Sequence, residues 1–379
     1  MEEQMERRPL ILYETIEMLY KYINGISFHD IAESMSRLYG DVFPGVFVQK
    51  LDCLERITQE VCSGLQVQNR QMQRFFRRFE TDAIRDNLCL AKVMTLSFFL
   101  YDHPELEEEA EALKRHWAGM RQEGFQIVAV SMSGLEFRPL EPGQRRKDLV
   151  EQLCEQDYPA EYRMELLWML THFDTCMDTL VQLISPYAQR LQARLEQEGW
   201  LMTATADYWQ EQFTGTSPSQ LVQLIARAKE NLSQQAQTRV RFSLMNCTGI
   251  LYDLAGEYSV ERRGCSTFVI GCAVTIHSTI RKVGGSVERT CAILRSISDK
   301  SKFEVLQRLG VERSYCQKLA EDMNINPGHM SRILMSLFQY GFLTREQEQS
   351  RYYYTTDQES ISAFLTGVRQ LLAGNARER

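Results

Sequence analysis

The residues whose types and spacing best define a chemistry lie near the carboxyl end of the chain. Asn326 and Pro327 stand directly before a helical pattern, where asparagine is a favoured cap and proline at the first position loses no hydrogen bond. His329, Ser331 and Arg332 fall on the outward face of that predicted helix. Arginine donates two hydrogen bonds to guanine or phosphate, and serine bonds to either base or phosphate. Such side chains in the first turns of a helix are typical of proteins that read the major groove of duplex DNA.

A second group of polar residues follows this helix. Two short extended runs flank a polar tip at 346–350, which predicts a β-hairpin, or wing, over 343–355. Side chains at such a tip reach the flanking phosphates or the minor groove. The predicted DNA-binding residues are therefore Asn326, His329, Ser331, Arg332, Gln347, Gln349 and Arg351.

Helical spacing predicts the elements that position these residues. A helix over 300–309 turns Phe303 and Leu309 inward and ends at Gly310. A shorter helix over 315–322 leads through a four-residue turn into the helix that Asn326 caps. Helix, short turn, helix and hairpin together make a winged helix-turn-helix. A final amphipathic helix over about 357–372 needs an apolar partner, either the same domain or a second subunit.

Three spans of this region, 297–306, 319–334 and 340–343, resemble the ArsR family of bacterial winged-helix repressors. The resemblance covers residues 291–373, less than a quarter of the chain. It implies a homodimer, a recognition helix that starts at Asn326 and a wing at 343–355. Metal-sensing members carry a Cys-x-Cys motif on the helix before the turn, whereas this chain has only Cys316 there. The sequence therefore predicts no metal site and no cofactor.

Two weaker constellations lie in the long amino-terminal region. Arg70–Phe79 is basic with interleaved aromatic residues, and its arginines would share one helical face. That pattern fits a second phosphate-contacting surface, but a solvated face over a core contact explains it better. His172 and Cys176, at i and i+4, have the spacing of metal ligands. Two ligands make a poor site, so we expect a buried histidine beside a buried cysteine.

The remaining pattern defines the fold class, mainly α with a minor β component (α+β). Residues 1–284 form a predicted helix-rich effector-binding or oligomerisation domain with a small sheet. Its helices include 147–200, with a kink or break at Pro186, and 219–236. A flexible joint at 283–286 leads to the winged helix-turn-helix over 285–373, and 374–379 form a tail.

Composition and charge limit the classes of function. The chain has no catalytic signature and no apolar run of membrane-spanning length, so we expect a cytoplasmic protein that is not an enzyme. Residues 291–379 carry a net charge of +2 and the rest −9. We expect a transcriptional regulator, in the first instance a repressor, that binds double-stranded DNA as a homodimer and responds to a small-molecule effector. A protein-interaction module that uses the winged helix for protein contacts is the alternative.

Overall fold

The computed structural model describes residues 4–39, 45–79, 88–96, 103–130, 134–140, 143, 145–156, 158–213, 237–253, 265–274, 287–348 and 351–372. Helices dominate these residues and the sheets are small, which confirms the predicted fold class. None of the described helices is both long enough and apolar enough to span a bilayer.

The chain divides into two compact units. The first comprises Met1–Asp30, Gln49–Thr214 and Gln235–Val274. The second comprises Ile31–Val48, Gly215–Gln234 and Thr275–Arg379. The predicted helix over 219–236 and the predicted joint over 283–286 lie outside the described residues.

The amino-terminal half of the chain is built mainly from helices. Their bounds are α1 (Ile11–Ile23), α2 (Phe28–Tyr39), α3 (Gly45–Val61), α4 (Arg70–Phe76), α5 (Leu90–Leu96), α6 (Leu106–Glu123), α7 (Leu149–Cys154), α8 (Ala160–Thr171), α9 (Phe173–Gln197) and α10 (Trp200–Phe213). Of the predicted kink or break at Pro186, the break does not occur, because α9 continues through this proline. Buried residues on both sides of it, including Ile184 and Ala188, pack along one face and hold the helix together.

The described residues of the first unit form two sheets. One is an antiparallel hairpin of β2 (Phe125–Val130) and β3 (Gly134–Pro139). The larger sheet contains β1 (Gln4–Glu6), β4 (Gln237–Ser243), β5 (Ile250–Asp253) and β6 (Cys265–Gly271). Its order is β1-β4-β6-β5, with β5 antiparallel and the other strands parallel. Gly271 permits a close approach, since an added Cβ would lie 2.3 Å from the Cys247 carbonyl oxygen.

The second unit contains the predicted winged helix-turn-helix elements. They are α11 (Val287–Ile297), α12 (Lys300–Val311), β7 (Ser314–Tyr315), α13 (Cys316–Asp322), α14 (Pro327–Tyr340), β8 (Leu343–Glu348), β9 (Arg351–Thr356) and α15 (Gln358–Leu372). The sheet order is β7-β9-β8. One apolar core joins α11–α14, β8 and β9, and Ile361 and Phe364 of α15 pack against it. Its buried residues are Ile293, Val305, Leu309, Leu319, Ala320, Met330, Ile333, Leu334, Leu337, Phe342, Leu343 and Tyr354.

Two expectations for α12 are wrong. Phe303 is 53% exposed, because Val305 and Leu309, four residues apart, set the inward face of the helix. Gly310 does not end the helix, which continues to Val311. By contrast, Gly341 ends α14 as predicted, with a left-handed φ of 91° that favours glycine.

Candidate nucleic-acid interface

The start of α14 is fixed by a cap. The Asn326 side-chain oxygen accepts hydrogen bonds from the backbone N–H groups of Gly328 at 2.8 Å and His329 at 3.4 Å. Pro327 occupies the first helical position. Both features confirm the predicted start, and Asn326 itself is exposed. The N–H groups of this helix end and its dipole favour an anion such as phosphate.

The inner face of α14 anchors the helix. Met330, Ile333, Leu334 and Leu337 are all 2% exposed or less and belong to the core of the second unit. These residues recur at the spacing of one helical face. Their burial therefore fixes which face of α14 is turned outward.

The outer face carries the predicted reading residues. His329, Ser331 and Arg332 are exposed. Within the described residues, no ion pair or hydrogen bond engages the side chains of these three. The helix sequence contains no Asp or Glu, so no carboxylate on α14 competes with a phosphate. This face can donate hydrogen bonds to bases or phosphates without first breaking an internal contact.

The wing is an antiparallel hairpin beside this helix. Strands β8 and β9 pair from Leu343 opposite Thr356 to Glu348 opposite Arg351. The backbones of Gln347 and Arg351 lie in this ladder, whereas their side chains and the whole of Gln349 lie outside the described residues.

Arg345 connects the wing to α14. Its guanidinium lies 5.0 Å from the ring centre of Phe338 in α14 and 4.7 Å from that of Tyr352 in β9. Cation–π contacts of this kind hold planar groups at a defined separation. We infer that Arg345 fixes the position of the hairpin against the helix, a role that sequence spacing did not indicate.

Two further contacts position α14 from its neighbours. The Lys302 ammonium on α12 donates to the Ser336 hydroxyl at 3.2 Å. The Cys316 thiol at the start of α13 lies 3.6 Å from the Pro327 carbonyl oxygen, and burial raises the pKa of this thiol to about 11. Cys316 is therefore a protonated structural residue at neutral pH, not a reactive thiolate.

The basic segment Arg70–Phe79 does not form a free phosphate surface. Arg74 pairs with Glu165 at 3.0 Å, and Arg77 pairs with Glu161 at 2.9 Å. The expected shared face is wrong, because α4 ends at Phe76 and Arg77 leaves the helical spacing. The predicted core contact is present, since Phe75 is buried and the Phe79 ring lies against Tyr162.

The expected burial of His172 is also wrong. This histidine is exposed at the junction of α8 and α9, and its Nδ1 lies 3.0 Å from the Trp168 carbonyl oxygen. Cys176 is buried, as predicted. In the described parts of the chain, no group of three or more His, Cys, Asp or Glu side chains is arranged to hold a metal ion.

Sequence analysis missed a buried charged cluster in the first unit. Glu17 on α1 pairs with Lys21 at 3.1 Å and with Lys92 of α5 at 2.8 Å. All three are buried. Burial alone would raise the pKa of Glu17, but the two ammonium groups outweigh it and lower that pKa. The sequence carried no signal for this burial, because Glu14, Glu17 and Lys21 lie on one stripe of α1, and a charged stripe on an otherwise apolar helix normally faces solvent.

Glu14 extends this cluster to the sheet. Its carboxylate accepts hydrogen bonds from the backbone N–H groups of Leu244, at 2.9 Å, and Met245, at 2.6 Å, which lie directly after β4. Complete burial raises the pKa of Glu14 to about 7, against the lowering effect of these bonds. The cluster thus attaches α1 to the carboxyl end of a strand, and its groups are engaged with one another. It can stabilise the unit, while the exposed face of α14 can bind a ligand.

Comparison of the chain with protein-family models, curated proteins and solved structures gave no match.

Proposed function

We propose that this protein binds duplex DNA through α14 and the wing, and that it regulates transcription. The observation that carries the proposal is the start of α14, a capped helix end whose outer side chains are exposed and have no hydrogen bond or ion pair to any other described residue. Arg332 donates hydrogen bonds to guanine or to phosphate, and His329 and Ser331 add hydrogen bonds to the DNA. The backbone N–H groups at the helix end donate to a phosphate.

The proposal includes a homodimer in the cytoplasm that represses transcription. The resemblance of residues 291–373 to ArsR repressors supports both the homodimer and the assignment of the protein as a repressor. Two recognition helices in a dimer meet half-sites about 34 Å apart. A small effector that changes this distance would alter DNA affinity.

The test is selection of bound sequences from a random duplex pool by the full chain, followed by fluorescence anisotropy on the selected site. We expect Arg332→Ala to weaken binding at least about fivefold, because a bidentate contact contributes about 1–3 kcal/mol. The matched control is Arg369→Ala, which removes the same charge from an exposed position on α15 and should change affinity less than about twofold.

Two outcomes contradict the proposal. One is a pool that shows no enrichment after selection. The other is a selected site whose affinity is the same for Arg332→Ala and for the unchanged chain.

A protein-interaction role is the second candidate, and exposed apolar side chains favour it. Phe303 on α12 is 53% exposed and Leu365 on α15 is 54% exposed. Exposed apolar side chains of this size are available for contact with a partner protein. This reading predicts binding that depends little on salt, whereas DNA binding weakens steeply as salt rises.

A further inference from the structure

A lysine of α12 extends to the side of α14. The Lys302 ammonium donates a hydrogen bond to the Ser336 hydroxyl of α14 at 3.2 Å. Lys302 lies in the first turn of α12, where the Asp299 side chain accepts a hydrogen bond from its backbone N–H at 3.0 Å. The cap at Asp299 therefore fixes the backbone of this residue, and the bond to Ser336 fixes its ammonium.

Ser336 lies at one edge of the outer face of α14. His329, Arg332 and Ser336 recur at intervals of three and four residues, so they form one stripe along the helix. The first two are exposed, whereas Ser336 is only 9% exposed, at the margin between the outer face and the core. A helix rises about 1.5 Å per residue, which places Ser336 about 6 Å along the axis from Arg332. The ammonium of Lys302 therefore adds a cation to the edge that already carries His329 and Arg332.

The position of this ammonium suits a phosphate. A recognition helix places the centre of its outer face in the major groove, so groups at the margin of that face meet the phosphates beside the groove. The Ser336 hydroxyl carries no charge and leaves the positive charge of Lys302 in place. An ammonium donates up to three hydrogen bonds, so the bond to Ser336 is compatible with another bond to a phosphate oxygen.

We propose that Lys302 binds a phosphate of the DNA backbone beside the groove that α14 enters, and that Ser336 holds its ammonium in position. The contact carries no sequence information, because every base pair presents the same phosphates. Lys302 thus adds affinity for any duplex, whereas Arg332 discriminates between sequences. This inference rests on the proposed function, since it requires that α14 bind DNA.

The dependence of affinity on salt identifies a phosphate contact. Each phosphate that a protein neutralises on duplex DNA adds about 0.9 to the steepness of the plot of log affinity against log salt concentration. Lys302→Met removes the charge but keeps an unbranched apolar stem and a good helix former. We expect this variant to lower the steepness by about 0.9 and to bind about eightfold more weakly at about 0.1 M salt. The loss should be equal for the selected site and for an unrelated duplex, measured by fluorescence anisotropy of the full chain.

Lys300→Met is the matched control, because it removes the same charge from the same helix two residues earlier, on the opposite side. The side chain of Lys300 is 91% exposed and lies 3.7 Å from Glu304 on α12. This variant should change the steepness by less than about 0.3 and the affinity by less than about twofold. Ser336→Ala removes the hydroxyl but keeps the charge of Lys302, so its steepness should also stay within about 0.3 of that of the unchanged chain.

Equal steepness for Lys302→Met and the unchanged chain would overturn the inference. A loss of affinity confined to the selected site would do so as well, because it would show that Lys302 only positions α14 for base reading. So would a decrease in steepness in Ser336→Ala as large as that in Lys302→Met, since the charge remains in that variant. In each of these outcomes the chain still binds DNA, so the proposed function stands. A chain that binds neither duplex would contradict both proposals.

Discussion

At the scale of single residues, the buried carboxylate of Glu14 has the clearest consequence for stability. Each of its oxygens accepts one backbone N–H, from Leu244 and Met245. In Glu14→Gln an amide nitrogen replaces one oxygen and cannot accept, so one buried N–H loses its partner. At about pH 5 the buried carboxyl is protonated and keeps acceptor capacity on both oxygens, and there the expected cost of the substitution is about 1–3 kcal/mol of unfolding free energy.

The same residue predicts a pH dependence. The pKa of Glu14 rises from 4.5 in the unfolded chain to about 7 in the folded protein. The stabilisation from its protonated form is complete below pH 4.5 and is lost as the pH rises through 7. The stability advantage of the unchanged chain over Glu14→Gln should therefore shrink by about 3 kcal/mol across this range.

Urea unfolding followed by tryptophan fluorescence measures this difference. All four tryptophans, Trp117, Trp168, Trp200 and Trp209, lie in the first unit with Glu14, so the signal reports on the relevant core. A difference between the two proteins that stays constant from about pH 5 to about pH 8 would show that Glu14 keeps an ordinary pKa.

At the scale of elements, the cap of α14 links helix stability to DNA reading. Asn326→Ala removes the acceptor for the N–H groups of Gly328 and His329, at a cost of about 1 kcal/mol. The first turns should fray, and they carry the proposed reading residues Ser331 and Arg332. DNA affinity should fall severalfold even if Asn326 makes no base contact.

Hydrogen exchange of the backbone amides in 328–334, measured by mass spectrometry, reports this fraying directly. Asn326→Ser is the control, because serine caps nearly as well as asparagine. It should restore both exchange protection and DNA affinity. Equal protection in Asn326→Ala and the unchanged chain would mean that the cap does not hold this helix end.

At the scale of the whole molecule, the proposed dimer makes a geometric prediction. If two recognition helices bind together, insertion of half a helical turn, about five base pairs, between the half-sites rotates one of them to the opposite face of the DNA. Affinity should then fall to about that of a single half-site. Insertion of a full turn, about ten base pairs, presents both half-sites on the same face again and should weaken binding less.

Anisotropy titrations of the three duplexes with the full chain provide the measurement. Sedimentation of the complex gives the number of chains per duplex. One chain per duplex, with equal affinity for all three spacings, would argue against the dimer and leave the contacts of α14 unaffected.

The sequence by itself determined the elements whose signals are local. Asn326 and Pro327 define a helix start, Gly341 defines a helix end, and the extended runs on either side of 346–350 define a hairpin. Each depends on backbone geometry within a few residues, so spacing and residue type were enough. The apolar stripe of α14 fixed its outward face in the same way.

Only the tertiary structure decided which charged groups are free and which are engaged. Arg74 has the same type and a similar local setting as Arg332, yet it pairs with Glu165, 91 positions along the chain. Glu17 meets Lys92, and Glu14 reaches the backbone after β4, through contacts that join distant segments. A local sequence pattern does not indicate such partners, because they come together only when the helices pack.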